Sequence, residues 1–108
     1  MSKYHAKRIY MYDRWFASKA EAARYQELKL LEAAGEISDL QTQVTFELLP
    51  GFRDPEGHKH LPTKYIADFV YRQNGRTIVE DKKGFRTDVF KLKKKLMWIK
   101  HGVWVKET

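Results

Sequence analysis

The chain has 108 residues, 43% of them apolar and 14% aromatic, with no cysteine and a formal net charge of +7. That length and composition suit one domain, 1–108, with one modest core, and exclude a disordered chain. The lack of cysteine excludes a disulfide framework and a thiolate zinc site, and fits a reducing cytoplasm.

The basic start, Met1 to Arg8, has no apolar run behind it and does not read as a signal peptide. No stretch approaches the ~20 apolar residues of a membrane span, so a soluble protein with no membrane partner is expected. Arg8-Ile9-Tyr10-Met11-Tyr12 reads as a short strand, Asp13-Arg14 as a turn, and Trp15-Phe16 as the returning strand. Ser18-Lys19-Ala20-Glu21 has the Ser-x-x-Glu pattern of a capping box. The spacing predicts a helix over 19–34, with Ala20, Ala23, Leu30, Leu31 and Ala34 on one side and Gly35 ending it.

Residues 41–49 alternate like a strand, and the Gly- and Pro-bearing stretch 51–62 reads as a loop, with or without a distorted hairpin end. His58 and His60 lie in that loop; two histidines do not complete a zinc site, and both are expected in solvent. Strands follow at 65–71 and 76–83, joined by the hairpin turn signal Asn74-Gly75. Gly84 ends the second, and Thr87 or Asp88 caps a helix running to about Lys100. Its expected core seam is Val89, Leu92, Leu96 and Ile99. A last strand is expected at 103–106. The order predicts an α+β fold with helices flanking a mostly antiparallel sheet.

Charge is concentrated in one place. Residues 82–100 hold eight Lys/Arg against the single acid Asp88, so the rest of the chain balances to zero. A concentrated basic patch is the footprint of a polyanion binder, and equally of a lysine-rich solvated face. Trp98 falls among Lys91, Lys94 and Lys95, where it is placed to stack on a base, to fill an interface or to pack on lysine stems.

The chemistry centres on the hairpin. Asp68 interrupts an apolar strand, and Asp81 and Lys83 are two apart on its partner, so they point the same way. Two carboxylates at one point repel unless a cation joins them, and a hard divalent ion suits such a pair. The bland reading is a half-exposed hairpin with surface ion pairs. Glu21 has two readings as well, a closed capping box or a carboxylate reaching along the sheet from the edge of the apolar stripe beside Leu28. Gln43 faces either the same pocket or solvent.

The strings Phe16-Ala17-Ser18-Lys19-Ala20-Glu21-Ala22, Gly35-Glu36-Ile37, Leu40-Gln41-x-Gln43, Tyr65-Ile66-Ala67-Asp68-Phe69 and Val79-Glu80-Asp81-x-Lys83-Gly84 resemble a family of small phage and prophage proteins. That family is known as a domain of unknown function and is placed in the PD-(D/E)XK nuclease superfamily, which includes Holliday junction resolvases. The resemblance covers nearly the whole chain. It implies a restriction-endonuclease-like α-β-β-β-α-β core with a mixed central sheet, and phosphodiester hydrolysis dependent on Mg2+ or Mn2+. The fold alone does not choose a substrate, but 108 residues leave little room for base-specific reading and favour a structure-selective homodimer, expected to be a junction resolvase cutting branched DNA in phage recombination or DNA packaging, in the cytoplasm of the bacterial host.

On this resemblance Glu21, Asp68, Asp81 and Lys83 are the catalytic residues. Asp68, Asp81, Glu21 and the Lys82 carbonyl are the expected metal ligands; Gln43 matches a glutamine of several relatives and is an expected DNA contact, together with Arg86, Lys91, Lys94, Lys95 and Trp98, which the charge concentration in 82–100 points to. Ala67 stands where a proline often precedes the aspartate. Glu80-x-Lys82 offers a second register for the acid–lysine pair, with Asp81-x-Lys83 favoured by the following Gly84. The alternative function is a non-catalytic nucleic-acid-binding or regulatory phage protein on the same fold.

Overall fold

The computed structural model describes residues 7–82 and 86–108, and places two helices on a mixed four-stranded sheet. A short hairpin comes first, β1 (Ile9–Met11) with β2 (Arg14–Phe16). Its turn is Tyr12-Asp13, one residue earlier than expected; both residues have positive φ (54° and 59°), as a type I′ hairpin turn demands.

Helix α1 (Lys19–Ala33) starts where Ser18 Oγ accepts the Glu21 N–H at 3.1 Å. It ends in a Schellman motif, with Gly35 at φ 78° and the Glu36 and Gly35 N–H groups donating to the Leu31 and Glu32 carbonyls. The expected apolar stripe is corrected. Ala22, Tyr25 and Leu28 face the core, whereas Ala20, Ala23 and Leu30 are exposed. Tyr25 lies outside the expected stripe, yet its ring packs between Phe16 and Phe69.

The sheet is built from β3 (Ser38–Leu49), β6 (Thr63–Gln73), β7 (Arg76–Asp81) and β8 (Lys106–Glu107), in the order β3-β6-β7-β8. Between β3 and β6 the chain forms a small ribbon, β4 (Phe52–Arg53) with β5 (Lys59–His60), where mostly loop was expected. His58 and His60 are exposed there, and both face Asp54. β3, β6 and β7 are antiparallel neighbours. β8 runs parallel to β7 after the crossover through α2 (Asp88–His101), and it is shorter and later than the strand expected at 103–106. Asn74 and Gly75 both have positive φ, as their turn signal predicts.

One cluster, with Phe16, Ala22, Tyr25, Leu28, Phe69 and Tyr71, lies under α1. The other, with Leu48, Tyr65, Ala67, Val79, Phe90 and Met97, lies under α2. Ile78 packs with the first and Val79 with the second, so the two helices cover opposite faces of the sheet. Fully burying a side chain such as Phe69, Leu28 or Met97 contributes about 1.5–3 kcal/mol. The second correction falls on α2. Its buried positions are Phe90 and Met97 with Leu96 partly covered, while Val89, Leu92 and Ile99 are exposed. The seam Val89-Leu92-Leu96-Ile99 keeps its helical spacing but points mainly outward.

Candidate active site

The alternation of β6 breaks at Asp68. Tyr65 and Ala67 belong to the α2 cluster, but Phe69 and Tyr71 belong to the α1 cluster, and Val70 packs toward α2. A regular strand would keep all four odd residues on one face. The register sets Gln43 of β3 opposite Asp68, and Gln43 has φ 53° in the middle of a strand. A left-handed conformation there costs a non-glycine residue about 1–3 kcal/mol, strain of the sort that gathers at functional sites.

Polar groups converge on this break. The Ser18 cap fixes the first turn of α1 so that Glu21 is only 5% exposed. Gln43 Nε2 donates to Glu21 Oε1 at 3.2 Å and to Asp68 Oδ1 at 3.4 Å. The Lys82 N–H donates to Asp68 Oδ2 at 2.8 Å, and the Tyr65 hydroxyl donates to the buried Asp81 at 2.8 Å. Burial pushes the Asp68 carboxyl up to about 8; its hydrogen bond with Asp81 and the Asp81 and Glu21 charges act the same way, against the Lys82 N–H. Burial and the Asp81 charge raise the Tyr65 phenol, which keeps it a donor. The Gln43 amide bridges Glu21 and Asp68, and Asp68 in turn lies against Asp81. Among the described residues no three histidine or acidic side chains form a ready cation cage.

An open depression of about 320 Å3 lies above these groups, lined by Arg8, Trp15, Phe16, Glu21, Gln43 and Asp68. A second, of about 290 Å3, sits on the β4–β5 ribbon and contains no carboxylate.

Glu80 does not share this site. It is fully buried and takes both Arg24 Nε and Nη2 at 2.8 Å, together with the Tyr71 hydroxyl. Burial pushes its carboxyl up, but the Arg24 and Tyr71 hydrogen bonds outweigh this and hold it below the usual range. The Arg24 guanidinium is raised in turn, chiefly by its hydrogen bond to Glu80. Glu80 therefore belongs to the α1 face, and Asp81 is the acid that meets Asp68. Lys83, the lysine of the favoured register, lies outside the described residues.

Of the expected DNA contacts, Gln43 sits in the site itself. Lys91, Lys95 and Trp98 are exposed on α2, with Lys91 3.9 Å from Asp88. Lys94 is not on that open face: its side chain is 11% exposed, pairs with Glu107 at 2.5 Å and lies 4.5 Å from the Trp104 ring centroid. Arg86 also pairs with Glu107, at 2.9 Å. Sequence reasoning missed Tyr65, Arg24 and Trp15. Arg24 carried one signal, since it sits one turn after Glu21 on the same helix.

The class defined by this fold and site is a single α+β domain with carboxylates gathered at a break in a mixed sheet. The chain belongs to DUF1064, a family described as a protein of unknown function, whose model matches residues 1–106. No curated protein and no solved structure matches it. Among the described residues, no helix is long and apolar enough to cross a membrane.

Proposed function

We propose that the protein is a metal-dependent DNA endonuclease of the PD-(D/E)XK kind. One observation carries the reading: Asp68 and Asp81 are brought into hydrogen-bond contact at a break in the sheet, where burial and neighbouring carboxylates raise Asp68 to about 8. Carboxylates gathered in this way repel one another and cost the fold stability, whereas a divalent cation would offset that repulsion. Magnesium needs only one or two carboxylates besides water and phosphate oxygens, and manganese accepts similar ligands. Asp68, Asp81 and the Lys82 carbonyl are the residues that would hold it, with Glu21 beside them. When bound, the ion would polarise a phosphodiester oxygen and lower the pKa of a bound water.

The chain's own residues prepare the rest. Tyr65 fixes the Asp81 carboxylate, the Lys82 N–H fixes Asp68, and Gln43 bridges Asp68 and Glu21. Lys83, two residues after Asp81, is assigned to hold the attacking water. Lys91 and Lys95 are assigned to the DNA backbone, with Trp98 beside them. The exposed stripe of Val89, Leu92 and Ile99 supports pairing with a second copy, and so a homodimer acting on branched DNA such as a four-way junction. Phage recombination within a bacterial cytoplasm is the setting that the family resemblance suggests.

The test is a cleavage panel of single-stranded, duplex, flap and four-way DNA with Mg2+, Mn2+ or EDTA. The expected result is metal-dependent cleavage of a branched substrate that is lost in Asp68→Asn and Asp81→Asn. DNA binding without cleavage in either metal would replace this reading with that of a non-catalytic nucleic-acid-binding protein.

A further inference from the structure

The β1–β2 hairpin has two unlike faces. Its inner side chains, Phe16 with Ile9 and Met11, pack into the α1 cluster and account for its docking. Its outer face carries Tyr10 and Trp15, direct cross-strand partners with ring centroids 5.2 Å apart, and both are more than half exposed. A cross-strand aromatic pair adds a few tenths of a kcal/mol to about 1 kcal/mol to a sheet, and does not require so large an apolar surface in water. The Arg8 guanidinium lies 4.9 Å from the Trp15 ring centroid. Arg8 and Trp15 also line the depression whose other wall holds Glu21, Gln43 and Asp68. An aromatic shelf and a cation thus stand directly beside the carboxylates.

We infer that Trp15 and Tyr10 form a stacking shelf for one unpaired base of the DNA strand whose adjoining phosphate lies at the carboxylates, with Arg8 on that strand's backbone. The inference rests on the nuclease reading and names its substrate class. A base within a duplex has both π faces covered by its neighbours, so only an unpaired or splayed base can lie on such a shelf. The aromatic faces accept any base, because stacking does not read hydrogen-bonding edges. Arg8 supplies the cation that a polyanion needs beside a carboxylate-lined depression. The preference for branched DNA is thereby placed in the hairpin rather than in α2, whose exposed lysines suit backbone contact of any DNA.

The test uses the full chain with Ca2+ in place of Mg2+, and a flap DNA carrying 5-iodouracil at its first unpaired position. Irradiation should crosslink that base to Tyr10 or Trp15, as read by peptide mapping. In anisotropy titrations, Trp15→Ala should weaken binding to the flap by roughly tenfold and change binding to the fully paired duplex less than twofold. Trp15→Phe should restore most of the loss. A crosslink mapping elsewhere, no crosslink, or equal weakening on flap and duplex would overturn the shelf. Failure of the nuclease reading looks different: the wild type with Mg2+ then leaves every DNA uncut, whatever the crosslink shows.

Discussion

Arg24→Met isolates Glu80 and tests which acid belongs to the site. The Glu80 carboxylate is fully buried and is held by two Arg24 nitrogens at 2.8 Å and by Tyr71. Removing the guanidinium leaves a buried charge with the Tyr71 hydroxyl as its remaining side-chain donor among these three. Breaking a buried pair from one side costs about 3–5 kcal/mol, set against a total stability of about 5–15 kcal/mol for a domain. Adding Glu80→Gln to Arg24→Met removes the orphaned charge and should recover much of the loss.

The pH dependence follows from the direction of the shift. In the wild type Glu80 lies below its ordinary range, so its contribution is present above about pH 4.3 and is lost as pH falls through its folded value. In Arg24→Met burial, the largest single influence on this carboxyl, is opposed by the Tyr71 hydroxyl and the Lys106 charge without the guanidinium, so the carboxyl should rise and that folded state should gain stability as pH falls from 7. The gap between the two proteins should be widest near pH 7 and should close in acid. Urea denaturation at pH 7 and 4, followed by circular dichroism, measures it, and Mg2+ titration calorimetry on Glu80→Gln and Asp81→Asn completes the test. A loss below about 1 kcal/mol in Arg24→Met, the range of an exposed pair, would refute the buried-pair argument. Abolished Mg2+ binding in Glu80→Gln but not in Asp81→Asn would refute the assignment of Asp81 to the site.

Three further outcomes follow from the same geometry. Asp68→Asn should raise the melting temperature of the metal-free protein, because it removes a carboxyl whose ionisation is opposed by burial and by two neighbouring carboxylates; a gain on the order of 1 kcal/mol corresponds to roughly 4–8 °C, and Mg2+ should no longer stabilise the variant. Glu21→Gln keeps a residue able to close the capping box, so its melting temperature should change little while cleavage falls about tenfold or more; full activity would reduce Glu21 to a cap. Changing Lys91 and Lys95 together to alanine should make the salt dependence of duplex affinity shallower by about two units, at about 0.9 per phosphate contact, whereas Lys94→Ala should act mainly on stability through Glu107 and Trp104.

The elements were legible where local chemistry decides them. Ser18, Gly35, Asn74-Gly75 and Thr87 each set a boundary through a cap or a turn, and the structure uses all four in those roles. The faces of the helices were less legible. On α1 the core accepts Tyr25 and the site accepts Glu21, so of the expected stripe only Leu31 packs against the core. On α2 the spacing of Val89, Leu92, Leu96 and Ile99 is helical, but spacing alone does not say whether a stripe meets the sheet or solvent. Phe90 and Met97 form the equally periodic face that packs.

The candidate site was legible for a different reason: its residues make poor sense as scaffold. Asp68 interrupts an apolar strand, and Asp81 follows Val79 and Glu80 where the strand is fully buried. Sequence could not divide the work between the adjacent acids Glu80 and Asp81, because the division depends on which face meets Arg24. β7 keeps its alternation, so Glu80 is sent to α1 and neutralised, and Asp81 is sent to Tyr65 and Asp68. β6 breaks its alternation at Asp68, opposite the left-handed Gln43. Substituting glycine for Gln43 should relieve backbone strain yet remove the amide that bridges Glu21 and Asp68, so it separates the two contributions of this position. Stability unchanged or raised with Mg2+ affinity lowered in Gln43→Gly, measured by urea denaturation and calorimetry, is the outcome expected if the strain serves the site. A loss of stability with unchanged Mg2+ affinity would mean that Gln43 serves only the sheet.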